Sequence, residues 1–265
     1  MSMASFGQLS LPEYLEQNRD DQNLWLFLHI PKTAGSSLST ELSRELAPYR
    51  NIHIDYTRKD VGRPTQIQDA VDRFLADAKT TRFRSASGHI TMQHATQIRG
   101  AISRTRAFTF LRDPVARVIS DFRYQRTPLH PPYKEFIARF PRIEDYVTAP
   151  QSQDKMYRFL VGDRKTPLQQ GLDRIGREFT FVGTVEKYPM SFNIIFRLFG
   201  RDVMPEQHKR ATPKTEDNEV AETAELRKLI LDVNKLDTGL YDHVSGLLKA
   251  REQEWTDLQA ASKAA

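Results

Sequence analysis

Short apolar runs alternate with segments of helical periodicity along most of the chain. The run Leu24–Ile30 is apolar apart from His29, a pattern typical of a strand buried on both faces of a parallel sheet. A second apolar run spans Ala107–Leu111, and weaker strand patterns occupy Ile52–Tyr56 and Phe179–Val182. These segments are the predicted strands.

Helices are predicted between the strands, where apolar residues recur every three or four positions. Leucines four residues apart mark a helix over residues 38–46, and Pro64–Lys79 forms a longer amphipathic pattern. Asp113 and Pro114 are residue types favoured at an N-cap and at the first helical position. A further helix is predicted around Met190–Phe199, and two more at the C-terminal end.

Other segments are predicted to lack regular structure. Ser87, Gly88 and His89 fall in a short polar link before the Ala107–Leu111 strand. Residues 127–150 are rich in prolines and aromatic residues and are interpreted as an irregular excursion over the surface. Residues 201–219 are polar and charged and are interpreted as a loop.

Strands alternating with helices predict an α/β fold: a P-loop-like parallel sheet flanked by helices, with a helical C-terminal segment. The predicted organisation is a single domain over residues 24–265, preceded by an N-terminal extension over residues 1–23. Right-handed crossovers bring the loops that follow the strands to one edge of the sheet, where ligands bind in such folds.

Composition narrows the function classes modestly. The 265 residues include 39 Lys and Arg against 34 Asp and Glu, and the formal net charge of +5 favours anionic partners. The absence of cysteine excludes a disulfide scaffold, a zinc ribbon, an iron–sulfur site and a thiol nucleophile. The histidines form no helical metal-binding pair, so no metal is expected. No apolar run reaches the roughly 20 residues of a membrane span, and we expect a soluble, cytoplasmic protein.

The loop after the first strand combines small residues, hydroxyl groups and one positive charge. Small residues let the backbone curl so that several N–H groups face one anion, and the helix N-terminus that follows attracts a phosphate. The lysine precedes the glycine, so the Walker spacing of ordinary P-loops is absent. The candidate anion-binding residues are Lys32, Thr33, Ala34, Gly35, Ser36 and Ser37.

The sequence of this loop, Pro-Lys-Thr-Ala-Gly-Ser-Ser, resembles the phosphosulfate-binding loop of sulfotransferases that use PAPS (3′-phosphoadenosine 5′-phosphosulfate). With the preceding His-Ile, it is most similar to the carbohydrate branch, which includes the uronyl and heparan sulfate 2-O-sulfotransferases. The resemblance implies a PAPS-dependent sulfotransferase in which the loop holds the 5′-phosphosulfate. It also implies that Lys32 neutralises the departing phosphate oxygen.

A second motif joins Arg112 to Ser120. Arg112 follows the Ala107–Leu111 strand at the same sheet edge, and a guanidinium forms two hydrogen bonds with a phosphate readily. Ser120 lies off the apolar face of the next helix. An arginine at a strand end with a serine eight residues later is similar to the 3′-phosphate site of the family. The resemblance implies that Arg112 and Ser120 hold the 3′-phosphate.

His89 is the candidate general base, because sulfuryl transfer needs a group that takes the proton of the acceptor hydroxyl. Residues 87–90 are similar to the Gly-His segment that supplies the catalytic histidine of the 2-O-sulfotransferases. Those relatives carry a second histidine where this chain has Ser87. His94 is the alternative base, and His29 is interpreted as a structural residue.

Weaker similarities extend the resemblance over roughly residues 24–245. Phe181–Glu186 is similar to a late strand of the family, in which Gly and Glu follow an apolar run. Gln207–Lys214 resembles the basic loop that folds over the cofactor, which implies contacts from Thr212 and Lys214. Residues 234–241 resemble the last helical segment.

The resemblance implies an acceptor hydroxyl on a carbohydrate or glycoconjugate. Residues 122–126, with Tyr133 and Lys134, are candidates to contact it, or they pack beneath a long loop. Two other function classes stay open. One is a P-loop nucleotide kinase or phosphotransferase, and the other is a non-catalytic polyanion-binding module that uses basic residues between 104 and 142. A nucleic-acid partner is not expected.

Overall fold

The computed structural model has a central parallel sheet of five strands in the order β2-β3-β1-β4-β5. The residues that it describes are 2–54, 58, 60–130, 132–206, 215 and 218–264. The strands are β1 (Leu24–Leu28), β2 (Tyr49–Ile52), β3 (Ser85–Gly88), β4 (Thr105–Leu111) and β5 (Phe181–Thr184).

Helices precede, separate and follow the strands. The helices from the N-terminus to the one that directly follows β4 are α1 (Met3–Phe6), α2 (Leu11–Asn18), α3 (Gly35–Glu45), α4 (Arg63–Asp77), α5 (Met92–Ala101) and α6 (Pro114–Gln125). The later ones are α7 (Tyr133–Arg139), α8 (Ile143–Thr148), α9 (Lys155–Val161), α10 (Leu168–Glu178), α11 (Tyr188–Leu198), α12 (Ala224–Val233), α13 (Lys235–Ala250) and α14 (Glu252–Ala264).

β1 occupies the centre of the sheet because its residues are apolar on both faces. All residues of Leu24–Leu28 are buried, and successive side chains of a strand point to opposite faces, so helices cover both sides. Leu28 pairs with Gly88 of β3 and with Thr109 of β4. The predicted α/β fold, a parallel sheet flanked by helices, is confirmed.

β3 is a strand where the sequence pattern indicated only a polar link, so that expectation was wrong. Its residues Ser85–Gly88 are all buried, although none has a large apolar side chain. A Cβ atom on Gly88 would lie 2.3 Å from the carbonyl oxygen of Ile52, because β2 passes very close. The hydroxyl of Ser85 donates to the carbonyl of Leu46 at 2.7 Å. Close packing favours small residues here and removes the apolar signal.

Several other expectations differ from the structure in detail. β2 is Tyr49–Ile52, whereas the sequence predicted a strand over Ile52–Tyr56. Residues 55 and 56 of that range lie outside the described part of the chain. Residues 127–150 include α7 and α8 rather than forming one irregular excursion. Their aromatic side chains, Phe136 and Tyr146 among them, form a second core with α6 and α12. Three helices, not two, follow the 201–219 segment.

The helices before β1 pack into the main core. Phe6 and Tyr14 are buried there, and the two rings meet edge to face with centroids 5.0 Å apart. The Tyr14 hydroxyl donates to the carbonyl of Thr180, just before β5. The division of the chain into an extension and a domain stays a prediction. Within the described ranges, no helix combines the length and the apolar content needed to cross a membrane.

Candidate active site

The candidate residues meet at the carboxyl ends of three adjacent strands. His89 follows β3, the 32–37 loop follows β1, and Arg112 follows β4. These strands are neighbours in the order β3-β1-β4. Because all three are parallel, the segments that leave them emerge at one edge of the sheet. The topology therefore brings together the three motifs that the sequence singled out.

The loop after β1 leads into an uncapped helix. Lys32 and Ala34 adopt left-handed backbone conformations, with φ of 72° and 61°, which non-glycine residues rarely adopt. The N-cap residue of α3 is Ala34, whose side chain makes no capping hydrogen bond. The first N–H groups of a helix lack acceptors within the helix, and its dipole favours an anion there. The loop and helix are therefore arranged to receive an anionic group.

The hydroxyl groups of the loop differ in their surroundings. Thr33 is fully buried, and its hydroxyl donates to the carbonyl of Ile30 at 2.9 Å. Ser37 is also buried, whereas Ser36 is exposed. The side chain of Thr33 therefore fixes the curvature of the loop. Of the three residues, Ser36 is the one that is open to solvent.

Gly35 is required by the position of His29. A Cβ atom at residue 35 would lie 1.8 Å from Nε2 of His29. The imidazole thus rests directly against the backbone at the start of α3. His29 supports the loop with its side chain, which agrees with its interpretation as a structural residue.

Lys32 is a half-buried cation with a lowered pKa. Its Nζ lies 4.1 Å from the centroid of the Tyr124 ring, a cation–π contact. Burial lowers the pKa of Lys32 to about 8, and the nearby Arg112 guanidinium acts in the same direction. Asp121 opposes this shift. The lysine therefore loses part of its charge in mildly alkaline solution.

Arg112 lies beside the same loop. Its Nη1 donates to the carbonyl of Lys32 at 3.3 Å. Its Nε is buried and has no hydrogen-bond partner among the described residues. Burial lowers the pKa of Arg112, whereas Glu186 and Asp113 raise it. A half-buried guanidinium with unused donor capacity is suited to a phosphate.

Ser120 lies on α6, which begins directly beyond Arg112. Asp113 caps this helix by accepting a hydrogen bond from the Ala116 N–H at 2.8 Å, as predicted from the Asp-Pro pair. Val115 and Val118 are fully buried, and Ser120 is half-buried. The serine is thus off the buried face of the helix, as its position in the sequence indicated.

His89 is held by a backbone contact from the neighbouring strand. Its Nδ1 lies 2.7 Å from the carbonyl oxygen of His29. A carbonyl only accepts, so Nδ1 carries the proton and Nε2 of the neutral ring has a free lone pair. The ring is exposed to solvent, yet surrounding protein atoms desolvate it and lower its pKa. The hydrogen bond to His29 opposes that shift, while Arg63 and Lys155 reinforce it.

His94 has a structural role in the described residues. It is the third residue of α5, and its Nδ1 lies 3.2 Å from the Thr91 N–H and 2.9 Å from the Thr91 hydroxyl. These contacts form a capping box at the helix N-terminus. The geometry therefore favours His89 over His94 as a base.

Ser87 makes two hydroxyl contacts in the buried strand that precedes His89. Its Oγ lies 2.9 Å from the Ser39 hydroxyl of α3 and 2.7 Å from the Tyr49 hydroxyl of β2. The strand that precedes His89 is thereby tied to the helix that begins at Gly35.

A buried ionic cluster around Asp121 connects α6 to α8 and α9. The Asp121 carboxylate accepts from Lys155 Nζ at 2.6 Å and from the Tyr146 hydroxyl at 2.8 Å. Burial raises the pKa of Asp121, but Lys155 and Arg117 prevail and hold it at about 2. Sequence reasoning missed this cluster. Its only signal is that Arg117 and Asp121 are four residues apart on the face that carries Val118.

The aromatic candidates for acceptor binding separate into two groups. Phe122 is a core residue, 4% exposed, whose ring packs against Phe136 and Tyr146. Tyr124 is half-buried and lies against Lys32, with the His130 ring 5.9 Å away. The contact of Tyr124 with the loop lysine was missed by sequence reasoning, although Tyr124 lies one helical turn beyond Ser120.

The weaker C-terminal similarities concern Glu186, Asp237 and the basic loop. Glu186, just after β5, accepts a hydrogen bond from the Asp113 N–H at 3.0 Å. Asp237 of α13 accepts from the N–H groups of Met156 and Tyr157, which fixes the start of α9. Thr212 and Lys214, the predicted cofactor contacts of the basic loop, lie outside the described residues.

A lysine, an arginine and a helix N-terminus without a side-chain cap from its N-cap residue lie together at one edge of the parallel sheet, an arrangement suited to an anionic ligand. Residues 17–243 match the model of the sulfotransferase family. Because the match covers most of the chain, the chain belongs to the sulfotransferase family, and the prediction of a sulfotransferase is confirmed.

One similar solved structure is that of the mouse sulfotransferase SULT7A1 complexed with PAP. It is 12% identical in sequence, the alignment covers 87% of this chain and 71% of that chain, and the TM-score is 0.35. A search of curated protein sequences found no match. The family assignment therefore rests on the family model.

Proposed function

We propose that this protein transfers a sulfuryl group from PAPS to a carbohydrate hydroxyl. The observation that carries the proposal is the pairing of Lys32 with Arg112. The guanidinium donates to the carbonyl of the lysine, and its buried Nε has no partner among the described residues. Two half-buried cations beside an uncapped helix suit a ligand with two separated phosphate groups.

The residues at this edge fit PAPS. The N-terminus of α3 and Lys32 would hold the 5′-phosphosulfate, with the backbone of Ala34 and Gly35 and the hydroxyls of Ser36 and Ser37 close by. Arg112 and Ser120 would hold the 3′-phosphate. Thr33 contributes through its backbone, because its hydroxyl is already bonded to Ile30. When bound, PAPS supplies the sulfuryl group and leaves as PAP.

His89 acts as the general base in this proposal. Its Nε2 takes the proton of the acceptor hydroxyl as the hydroxyl oxygen bonds to sulfur. The bond between sulfur and the phosphate oxygen breaks, and Lys32 stabilises the negative charge that remains on that oxygen. The products are PAP and the sulfated acceptor. Fixed positive charge and positioning provide most of the acceleration, as in phosphoryl transfer.

The carbohydrate acceptor is supported by the loop sequence His-Ile-Pro-Lys-Thr, which is similar to that of the carbohydrate branch. The decisive test incubates the protein with PAPS and a panel of glycans, phenols and small alcohols, and measures PAP release and acceptor mass by mass spectrometry. We expect an acceptor gain of one sulfuryl group on a glycan. Turnover on phenols alone would refute the carbohydrate assignment.

A control with ATP and Mg²⁺ separates this function from the kinase alternative. The loop lacks the Walker lysine position, so we expect no phosphoryl transfer to the same acceptors. Transfer from ATP without transfer from PAPS would favour the kinase alternative.

A further inference from the structure

The ring of His29 lies between His89 and the loop and makes three close contacts. Its centroid lies 4.2 Å from that of the His89 ring, and the two planes are inclined by 33°. It stacks on Phe27 at 5.5 Å with an interplanar angle of 14°. Its Nε2 lies where a Cβ on Gly35 would be, within 1.8 Å. Phe27 belongs to the buried strand β1, so the position of this ring is fixed from the core side.

The backbone of His29 fixes the position of one nitrogen of the His89 ring, and its side chain restricts the orientation of that ring. The 2.7 Å hydrogen bond from Nδ1 of His89 to the His29 carbonyl sets the position of one nitrogen. A single hydrogen bond leaves the ring free to tilt about it. The ring of His29, tilted by 33° against that of His89 with the centroids 4.2 Å apart, limits that freedom, because aromatic rings in contact restrict each other.

We propose that His29 is a positioning residue: the face of its side chain holds the His89 ring in the orientation in which Nδ1 donates to the His29 carbonyl and Nε2 is the base, and it links that ring to Gly35 of the loop. The inference rests on the proposed function only where it gives His89 the role of base. The ring geometry itself requires no assumption about the reaction.

The charge state of His29 suits this role. Burial lowers the pKa of His29 well below its ordinary value, and the nearby His89 and Lys32 lower it further. The ring of His29 is therefore neutral when His89 becomes an imidazolium, so His29 itself adds no like charge that would oppose this protonation. The other charged groups that act on His89 are Arg63 of α4, Lys155 of α9 and Asp121 of α6.

The first test needs no substitution. In ¹⁵N NMR spectra of the full-length protein, the ring nitrogens of His89 report which of them is protonated. Above the pKa of His89, we expect the proton on Nδ1 in a single tautomer. A proton on Nε2, or an even mixture of tautomers, would overturn the proposal, whether or not the protein transfers sulfuryl groups.

The second test compares two apolar replacements of the same residue. His29→Phe keeps an aromatic face, whereas His29→Leu fills space without one. We expect the Phe variant to retain the Nδ1–H tautomer and kcat within a few-fold of wild type. We expect the Leu variant to show mixed tautomers and a kcat lower by about 10- to 100-fold, with little change in the KM for PAPS. His243→Leu, at an exposed position of α13, is the control for replacing a histidine.

Each outcome of this comparison is informative. If both variants keep the tautomer and kcat, the side chain only fills space and the proposal is wrong. If both lose them while remaining folded, the imidazole atoms rather than the aromatic face are needed, and the proposal is also wrong. If either fails to fold, a wild-type His89 ring that is not in a single Nδ1–H tautomer still overturns the proposal. If the wild type shows no sulfuryl transfer, the proposed function fails, and the tautomers still test the positioning role.

Discussion

The carbonyl oxygen of His29 lies 2.7 Å from Nδ1 of His89. This contact joins the ends of two neighbouring strands and leaves Nε2 of His89 as the proton acceptor. We therefore predict that His89→Gln lowers kcat by about 100-fold or more, since general base catalysis contributes about 10²- to 10⁴-fold. Binding of PAP, measured by calorimetry, is expected to change little.

His94→Gln is the matched control for that substitution. Glutamine at the third helical position retains a capping box with Thr91, so α5 is expected to keep its stability and the enzyme its turnover. Equal losses in the two variants would contradict the assignment of His89 as the base.

Lys32 and His89 together predict a bell-shaped dependence of kcat/KM on pH. His89 must be neutral, and its pKa lies below its ordinary value of 6.5, so activity falls as the pH decreases through that lowered pKa. Lys32 must be charged, so activity also falls as the pH rises through about 8. In kcat, the alkaline limb is expected at higher pH, because bound anionic PAPS favours the charged lysine.

The Lys32→Arg variant tests whether Lys32 causes the loss of activity at alkaline pH. An arginine keeps its charge across this range, so the limb is expected to disappear even where the maximal rate is lower. Persistence of the same limb in this variant would show that another group causes it.

Arg112 is expected to dominate the binding of the 3′-phosphate. Arg112→Gln removes charge-assisted hydrogen bonds worth about 1.5–3 kcal/mol, so we predict that the Kd for PAP rises by about 10- to 100-fold. Arg106→Gln, in the strand that precedes Arg112, is the matched control, because Arg106 pairs with Asp20 at 2.9 Å. Similar losses in both variants would argue against a specific role for Arg112.

Gly35 offers a test of packing that does not depend on the reaction. A Cβ at this position would collide with Nε2 of His29, so Gly35→Ala is expected to lower the free energy of unfolding by about 1–3 kcal/mol. Gly100→Ala, in α5, meets no atom within 4 Å and is expected to keep or increase stability. Chemical denaturation of both variants provides the comparison. Unchanged stability of Gly35→Ala would refute the close contact with His29.

The sequence predicted the strands whose burial requires apolar side chains. β1 is a continuous apolar run, β4 is apolar at four of its seven positions, and the segments that leave them carry the candidate anion-binding motifs. β3 was missed because its residues Ser85–Gly88 are small and polar, and they are buried by close approach of the backbone rather than by their own hydrophobicity. Periodicity does not register such a strand.

The candidate site was predictable only where its residues belong to local sequence motifs. Lys32, Arg112 and His89 each belong to a local motif, and the order of parallel strands brings such motifs to one edge. The contacts of Tyr124 with Lys32 and of Lys155 with Asp121 join segments that are distant in sequence. Nothing in the local pattern marks such pairs, because they depend on how α6 and α9 pack in three dimensions.

We propose that this edge of the sheet recognises a nucleotide through both of its phosphate positions. Calorimetric titration of the wild-type protein with PAP and with adenosine 5′-monophosphate tests it most directly, since the two ligands differ only in the 3′-phosphate. We predict saturable 1:1 binding of PAP, about 10- to 100-fold tighter than that of the monophosphate. Equal affinities for the two nucleotides, or no binding of PAP, would contradict the proposal.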